Sequence, residues 1–129
     1  MRLSPQQARE ILRRVDPSRV FRRRAFGLRD GALLALVAAG LSAVEIAALE
    51  ARAITMTGGR VAVAVQRQGG PWTFVLPIEL GARLLAWLTE RRLWAAESPV
   101  FTGRRGPLTP RGVTAVLARH RHKVPTKRK

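Results

Sequence analysis

The spacing of apolar residues changes in the middle of the chain, and this change constrains the fold more than any other feature. Valine alternates with alanine over 61–65, and larger apolar side chains alternate with smaller ones over 72–76. Such alternation is typical of strands, and the glycine pairs at 58–59 and 69–70 are suited to tight turns between them. The pattern predicts a three-stranded antiparallel meander with strands over 54–57, 60–67 and 72–76.

On both sides of this sheet, apolar residues recur at offsets of three and four, which is the period of a helix. Ser4, Ser42 and Thr109 stand where N-caps are expected, and a proline follows Ser4 and Thr109 at the first helical position. The predicted helices span 5–15, 28–39 and 42–49, then begin at Pro77 and Pro110, with a turn-rich loop over 98–107. The fold class is therefore α+β, a mostly helical domain with a three-stranded antiparallel sheet.

The apolar pattern also assigns directions to individual side chains. The segment 28–39 is almost uniformly apolar, as in a helix buried on most sides, and Gly40 is suited to its left-handed C-cap. The longest uncharged run, 31–44, is shorter than the roughly 20 residues that a membrane span needs, so no membrane association is expected. In the helix that begins at Pro77, the residues expected to face inward are Leu80, Leu84, Trp87 and Leu88. Those expected to face outward are Arg83, Glu90 and Arg91.

The length and composition favour one cytoplasmic domain. The chain has 129 residues, which is enough for a single apolar core, and residues 1–123 are assigned to the domain and 124–129 to a basic tail. Cysteine is absent, which excludes disulfides, thiolate metal sites and cysteine nucleophiles. No export signal is recognisable at the N-terminus.

The charge points to a polyanionic partner. The sequence has 24 Lys and Arg against 8 Asp and Glu, a formal net charge of +16. Nucleic acid is the first partner to consider, although a basic but inert surface has the same composition and charge alone does not separate DNA from RNA. The four arginines 19, 22, 23 and 24 are either a solvated linker or a strip that faces phosphate.

Four short motifs resemble the catalytic domain of the tyrosine recombinase (phage integrase) family, in the family's order. Residues 28–34 (LRDGALL) resemble its L-R-D-R-A-L-L motif, and residues 39–46 (AGLSAVEI) resemble its T-G-L-R-x-S-E-L box. The segment 68–77 resembles its K-G-G hairpin, and 107–113 (PLTPRGV) resembles the stretch before its H-x-x-R box. The resemblance covers about residues 4–123 and implies the first two-thirds of that domain.

The departures from the family imply that the chain is not an enzyme. The position of the arginine that grips the scissile phosphate is Ser42, and the position of the catalytic lysine is Gln68, so neither the charge nor the acidic proton is supplied. The H-x-x-R box and the N-terminal arm domain are not expected in this chain. The sequence contains no tyrosine, so the family's nucleophile is absent.

The resemblance also implies where DNA would be contacted. The expected contacts lie in the hairpin, in the loop and helix after it, and near the C-terminus: Arg67, Gln68, Trp72, Arg104, Arg105, Arg111, Arg119, Arg121 and Lys123. For Trp72, base stacking and a cross-strand anchor are equally compatible with the pattern. His120 and His122 have no third ligand nearby, so they are assigned to a basic tail beginning at Arg119, and no metal or cofactor is expected.

Two classes of function remain open. The first is a non-catalytic DNA-binding module, either an accessory to recombination and integration or a remnant of an integrase, whose affinity comes mostly from phosphates. The second is a protein-interaction module, because a shortened domain exposes apolar surface that could bind a second copy or a full-length recombinase.

Overall fold

The computed structural model describes residues 4–14, 24–91, 97–103 and 106–120. It shows an α+β fold with a three-stranded antiparallel sheet in the order β1–β2–β3 and a small two-stranded hairpin. The helices are α1 (Pro5–Arg14), α2 (Arg24–Ala39), α3 (Ala43–Ala47), α4 (Ile78–Arg91) and α5 (Pro110–Ala118). The strands are β1 (Ile54–Thr57), β2 (Arg60–Arg67), β3 (Gly70–Val75), β4 (Thr102–Gly103) and β5 (Gly106–Pro107). None of the helices in these ranges is long and apolar enough to cross a membrane.

Helix α2 is the centre of the core, as its uniform apolar sequence predicts. Its residues 31–38 are all buried, and α1, α4 and α5 pack around it. The helix ends in a left-handed glycine, because the Gly40 amide donates to Val37 and the Leu41 amide donates to Leu36 with Gly40 at φ 110°. It begins at Arg24 rather than Leu28, since arginine and alanine favour helix and extend it into the basic connector. The rest of that connector, with Arg19, lies outside the described residues.

The sheet is the predicted antiparallel meander, but β3 spans Gly70–Val75 and not 72–76. Thr57 pairs with Arg60 across Gly58–Gly59, and both of these glycines have positive φ, as a tight two-residue hairpin requires. Arg67 pairs with Gly70, so β3 begins before the predicted residue 72 because the ladder closes directly after the turn. Valines of β2 face the helices, and an added Cβ at Gly81 of α4 would lie 3.1 Å from Val61. A glycine at this position therefore lets α4 approach the sheet.

Helix α4 joins the core to the following loop. Leu80, Leu84 and Trp87 are buried as predicted, and the Trp87 indole donates to the carbonyl of Val100 at 2.8 Å. The prediction that Arg91 faces outward is wrong. Its guanidinium lies beside Trp87 and donates to loop oxygens of Pro99, Val100 and Thr102. Burial lowers the pKa of Arg91. Its position is explained by the loop carbonyls of Pro99 and Val100, which accept hydrogen bonds from its guanidinium.

The assignment of His120 to a basic tail is also wrong. His120 is fully buried, and its Nε2 lies 3.1 Å from Oδ2 of Asp30, which is also fully buried. Arg29 completes the cluster by donating from Nε to Oδ1 of Asp30 at 3.0 Å and from Nη1 to the carbonyl of Thr102. A buried carboxylate needs such partners, and His120 continues the inward offsets of Val113 and the residues that follow it on α5.

Candidate nucleic-acid interface

Ser42, which the resemblance aligns with an arginine that binds phosphate, caps a helix. Its hydroxyl accepts from the Glu45 amide at 3.2 Å, and the Glu45 carboxylate accepts from the Ser42 amide at 2.9 Å. Ser42 is the N-cap of α3, as the sequence predicts, and the bond from its amide to Glu45 makes the cap a reciprocal capping box. Helix α3 ends at Ala47 and not at the predicted Leu49. The Leu49 amide bonds instead to Ile46, which tightens the last turn. The Ser42 side chain therefore stabilises the corner between α2 and α3, which we define as residues 40–46.

Arg67 joins the β2–β3 hairpin to this corner. Its Nε and Nη2 both donate to the Glu45 carboxylate, the latter at 2.9 Å, and Nη2 also donates to the carbonyl of Gly40 at 3.2 Å. The side chains of Arg67 and Glu45 are only 32% and 14% exposed. The hydrogen bonds from Arg67 hold the pKa of Glu45 below its ordinary value, and the same contact raises the pKa of Arg67. Both groups are therefore charged at neutral pH, and the positive charge of Arg67 is largely compensated.

Trp72 and Phe74 lie beside the same guanidinium. The Arg67 guanidinium carbon is 4.8 Å from the ring centre of Phe74 and 5.8 Å from that of Trp72, within the range of cation–π contacts. Trp72 is opposite Val65 in the ladder, yet 54% of it is exposed. Trp72 is therefore both a cross-strand neighbour and an aromatic surface open to solvent.

Gln68, which the resemblance aligns with a lysine, is exposed in the turn next to Arg67. Arg67 ties this turn to the corner, so the structure brings together the two segments that contain Ser42 and Gln68. The pairing links residues 22 positions apart and leaves no periodic signal. An acid in the first turn of α3 and a basic residue at the end of β2 are the only hints of it in the sequence.

Helix α5 contributes a second basic surface. Arg111 and Arg119 are exposed, and neither has an ion-pair partner within the described part of the chain, while Val113, Val116 and Leu117 are buried. Thr109 caps the helix by accepting from the Gly112 amide at 3.0 Å, as predicted. Helix α5 packs against α3. The hairpin, the corner and α5 are thus connected through α3.

The remaining predicted contacts are not placed by the structure. Arg104, Arg105, Arg121 and Lys123 lie outside the described residues, so their roles remain predictions. Within the described ranges, no three side chains among His, Cys, Asp and Glu form a cluster suited to a metal ion.

No known protein family matches this chain, and no curated protein shows significant similarity to it. The likeness to tyrosine recombinases therefore depends on the four motifs and on the order of the elements.

Proposed function

We propose that this chain is a DNA-binding protein of the integrase or tyrosine recombinase type, associated with DNA recombination and integration, and that it does not cut or join DNA itself. The observation that carries the proposal is the position of α3. This helix is tied to the hairpin by Glu45 and Arg67 and packs against α5. It thereby connects the segments on which the sequence predicts most contacts with DNA.

The distribution of charge supports binding of phosphate by α5 in particular. Arg67 is paired with Glu45, whereas Arg111 on α5 and Arg119 at its C-cap are exposed, and the sequence of α5 contains no acid. Arginine is well suited to phosphate because its donors form a planar fork. The surface of α5 therefore has more positive charge without an acidic partner than the β2–β3 hairpin has. The hairpin supplies an exposed aromatic ring, that of Trp72, for contact with sugar or base.

The chemistry of the replaced positions supports the absence of catalysis. The Ser42 hydroxyl is a neutral group engaged in a helix cap, and the Gln68 amide has no proton to donate at neutral pH. The sequence contains no tyrosine to form a covalent link with DNA. A binding role requires none of these groups.

Fluorescence anisotropy with a labelled duplex tests the proposal. Arg111→Ala and Arg119→Ala should each weaken binding by about five- to tenfold, as expected for the loss of one charge-assisted contact with phosphate. Arg52→Ala is the matched control, because Arg52 is equally charged and 69% exposed but is paired with Glu50. An equal loss in the control would show that binding follows net charge alone. Competition with duplex RNA separates a DNA-binding protein from a general nucleic-acid-binding one.

A second candidate function is the binding of a second copy or of a full-length recombinase. It is favoured by the exposure of large apolar side chains, namely Val44 (62%), Met56 (58%), Trp72 (54%), Val75 (53%) and Ile78 (67%). Exposed apolar surface of this kind often marks a protein interface. Light scattering over a range of concentrations, without DNA, distinguishes the two candidates because self-association appears there as a rise in mass.

A further inference from the structure

A cleft between α1 and α4 is lined by none of the residues predicted to contact DNA. It has a volume of about 250 Å³. Its lining contains three arginines, one carboxylate and two leucines, namely Arg9, Arg13, Arg83, Glu79, Leu12 and Leu80.

The arginines converge there because of how the two helices are built. Ala8 and Ile11 of α1 are buried against the core, so Arg9 and Arg13, four residues apart, share the exposed side. From α4, Arg83 reaches across and donates to the carbonyl of Leu12 at 3.4 Å, which ties the last turn of α1 to α4. The cleft is thus bounded by two helices that both pack against α2.

The charges that line the cleft are unequal. The lining contains three guanidinium groups and one carboxylate, that of Glu79. Arg13 pairs at 3.3 Å with Glu10, which lies outside the lining. Arg9 has no ion-pair partner among the described residues and also lines a second cleft beside Ala38. A concave surface with excess positive charge concentrates anions, and several arginine forks that converge suit a phosphate better than a single carboxylate.

We propose that the α1–α4 cleft is a phosphate-binding site, with Arg9 as the main donor and Glu79 as a group that limits affinity. The phosphate belongs either to a nucleic-acid backbone or to a small phosphorylated molecule. The site does not depend on the contacts made by the hairpin and α5, so it stands independently of the function proposed above.

Isothermal titration of the full chain with inorganic pyrophosphate, at constant ionic strength set with chloride, tests the site. Arg9→Ala should weaken binding by about tenfold, the equivalent of one charge-assisted hydrogen bond. Glu79→Gln should strengthen binding, which a purely structural role for this cleft would not produce. Arg52→Ala is the charge-matched control and should bind like the unchanged chain. Arg83→Lys keeps the charge but loses the planar fork of donors, so its affinity for pyrophosphate should lie between those of Arg9→Ala and the unchanged chain.

A second arm identifies the source of the phosphate. If Arg9→Ala also weakens binding of a labelled duplex, and pyrophosphate displaces that duplex, the phosphate comes from nucleic acid. If binding of the duplex is unchanged while binding of pyrophosphate falls, the ligand is a small phosphorylated molecule. Either result supports the site. Equal binding of pyrophosphate by the unchanged chain, Arg9→Ala and Glu79→Gln overturns it, as does an absence of binding.

Discussion

The guanidinium of Arg67 donates two hydrogen bonds to the carboxylate of Glu45, which lies 22 residues earlier in the sequence. A two-point contact of this kind fixes orientation as well as distance. Because Glu45 also accepts from the Ser42 amide, one carboxylate holds both the start of α3 and the hairpin. The tip of the hairpin, with Gln68 and Trp72, therefore has a defined direction relative to the corner.

Removing the charge of Glu45 should destabilise the protein more than removing the charge of an exposed acid. In Glu45→Gln the amide can still accept from Ser42, as capping boxes with glutamine do, so the substitution isolates the contact with Arg67. Glu50→Gln is the control, since the exposed pair of Glu50 and Arg52 contributes at most about 1 kcal/mol. Urea denaturation measures both. Equal midpoints for the two variants would mean that the hairpin is not held through Glu45.

The same pair should make stability depend on acidity. The pKa of Glu45 is lowered in the folded protein by the hydrogen bonds from Arg67, so the carboxylate stabilises the fold above the pKa that it has in the unfolded chain. This contribution is lost as the pH falls through the lowered folded-state value. The difference in urea midpoint between the unchanged chain and Glu45→Gln should therefore be constant near neutrality and shrink under acidic conditions. A difference that grows on acidification would contradict this sign.

Histidine 120 provides a separate test of the core. Substituting His120 with alanine should cost about 2 to 4 kcal/mol of unfolding free energy, because it leaves a cavity and removes a partner from the buried carboxylate of Asp30. Arg119→Ala, which changes the exposed neighbour, should cost under about 0.5 kcal/mol. Urea denaturation compares them. If both variants lose less than about 0.5 kcal/mol of unfolding free energy, His120 behaves like a residue of the basic tail that the sequence predicts.

Local signals in the sequence predict most of the helices and strands. The contacts that the sequence does not predict are made between segments that are distant in the chain. The caps at Ser42 and Thr109 and the glycine at position 40 each act within a few residues, so pattern alone identified them. The partners of Arg67 and His120 are set by how distant segments pack. His120 was nonetheless detectable, because it continues the inward period of α5, and the basic composition around it obscured that signal.

Introducing the arginine and lysine that the resemblance implies at positions 42 and 68 should not create an enzyme. Ser42→Arg combined with Gln68→Lys returns a charge and a proton donor, but the sequence has no tyrosine to hold the broken strand. Catalytic residues that act together give little rate acceleration when one of them is missing. The Ser42 change should also cost about 1 kcal/mol through loss of the helix cap. A nicked suicide substrate should give no protein-linked DNA band on a denaturing gel, and such a band would show that another residue acts as the nucleophile.

The salt dependence of binding to duplex DNA tests the central proposal most directly. We expect weak binding with little sequence preference and a slope of about −4 to −5 for log affinity against log salt, the value for roughly 4 to 6 neutralised phosphates. Anisotropy of a labelled duplex over a series of salt concentrations measures this slope, and removing Arg111 should make it shallower by about one unit. Absence of binding at low salt, or an affinity that does not change with salt, would contradict a DNA-binding role.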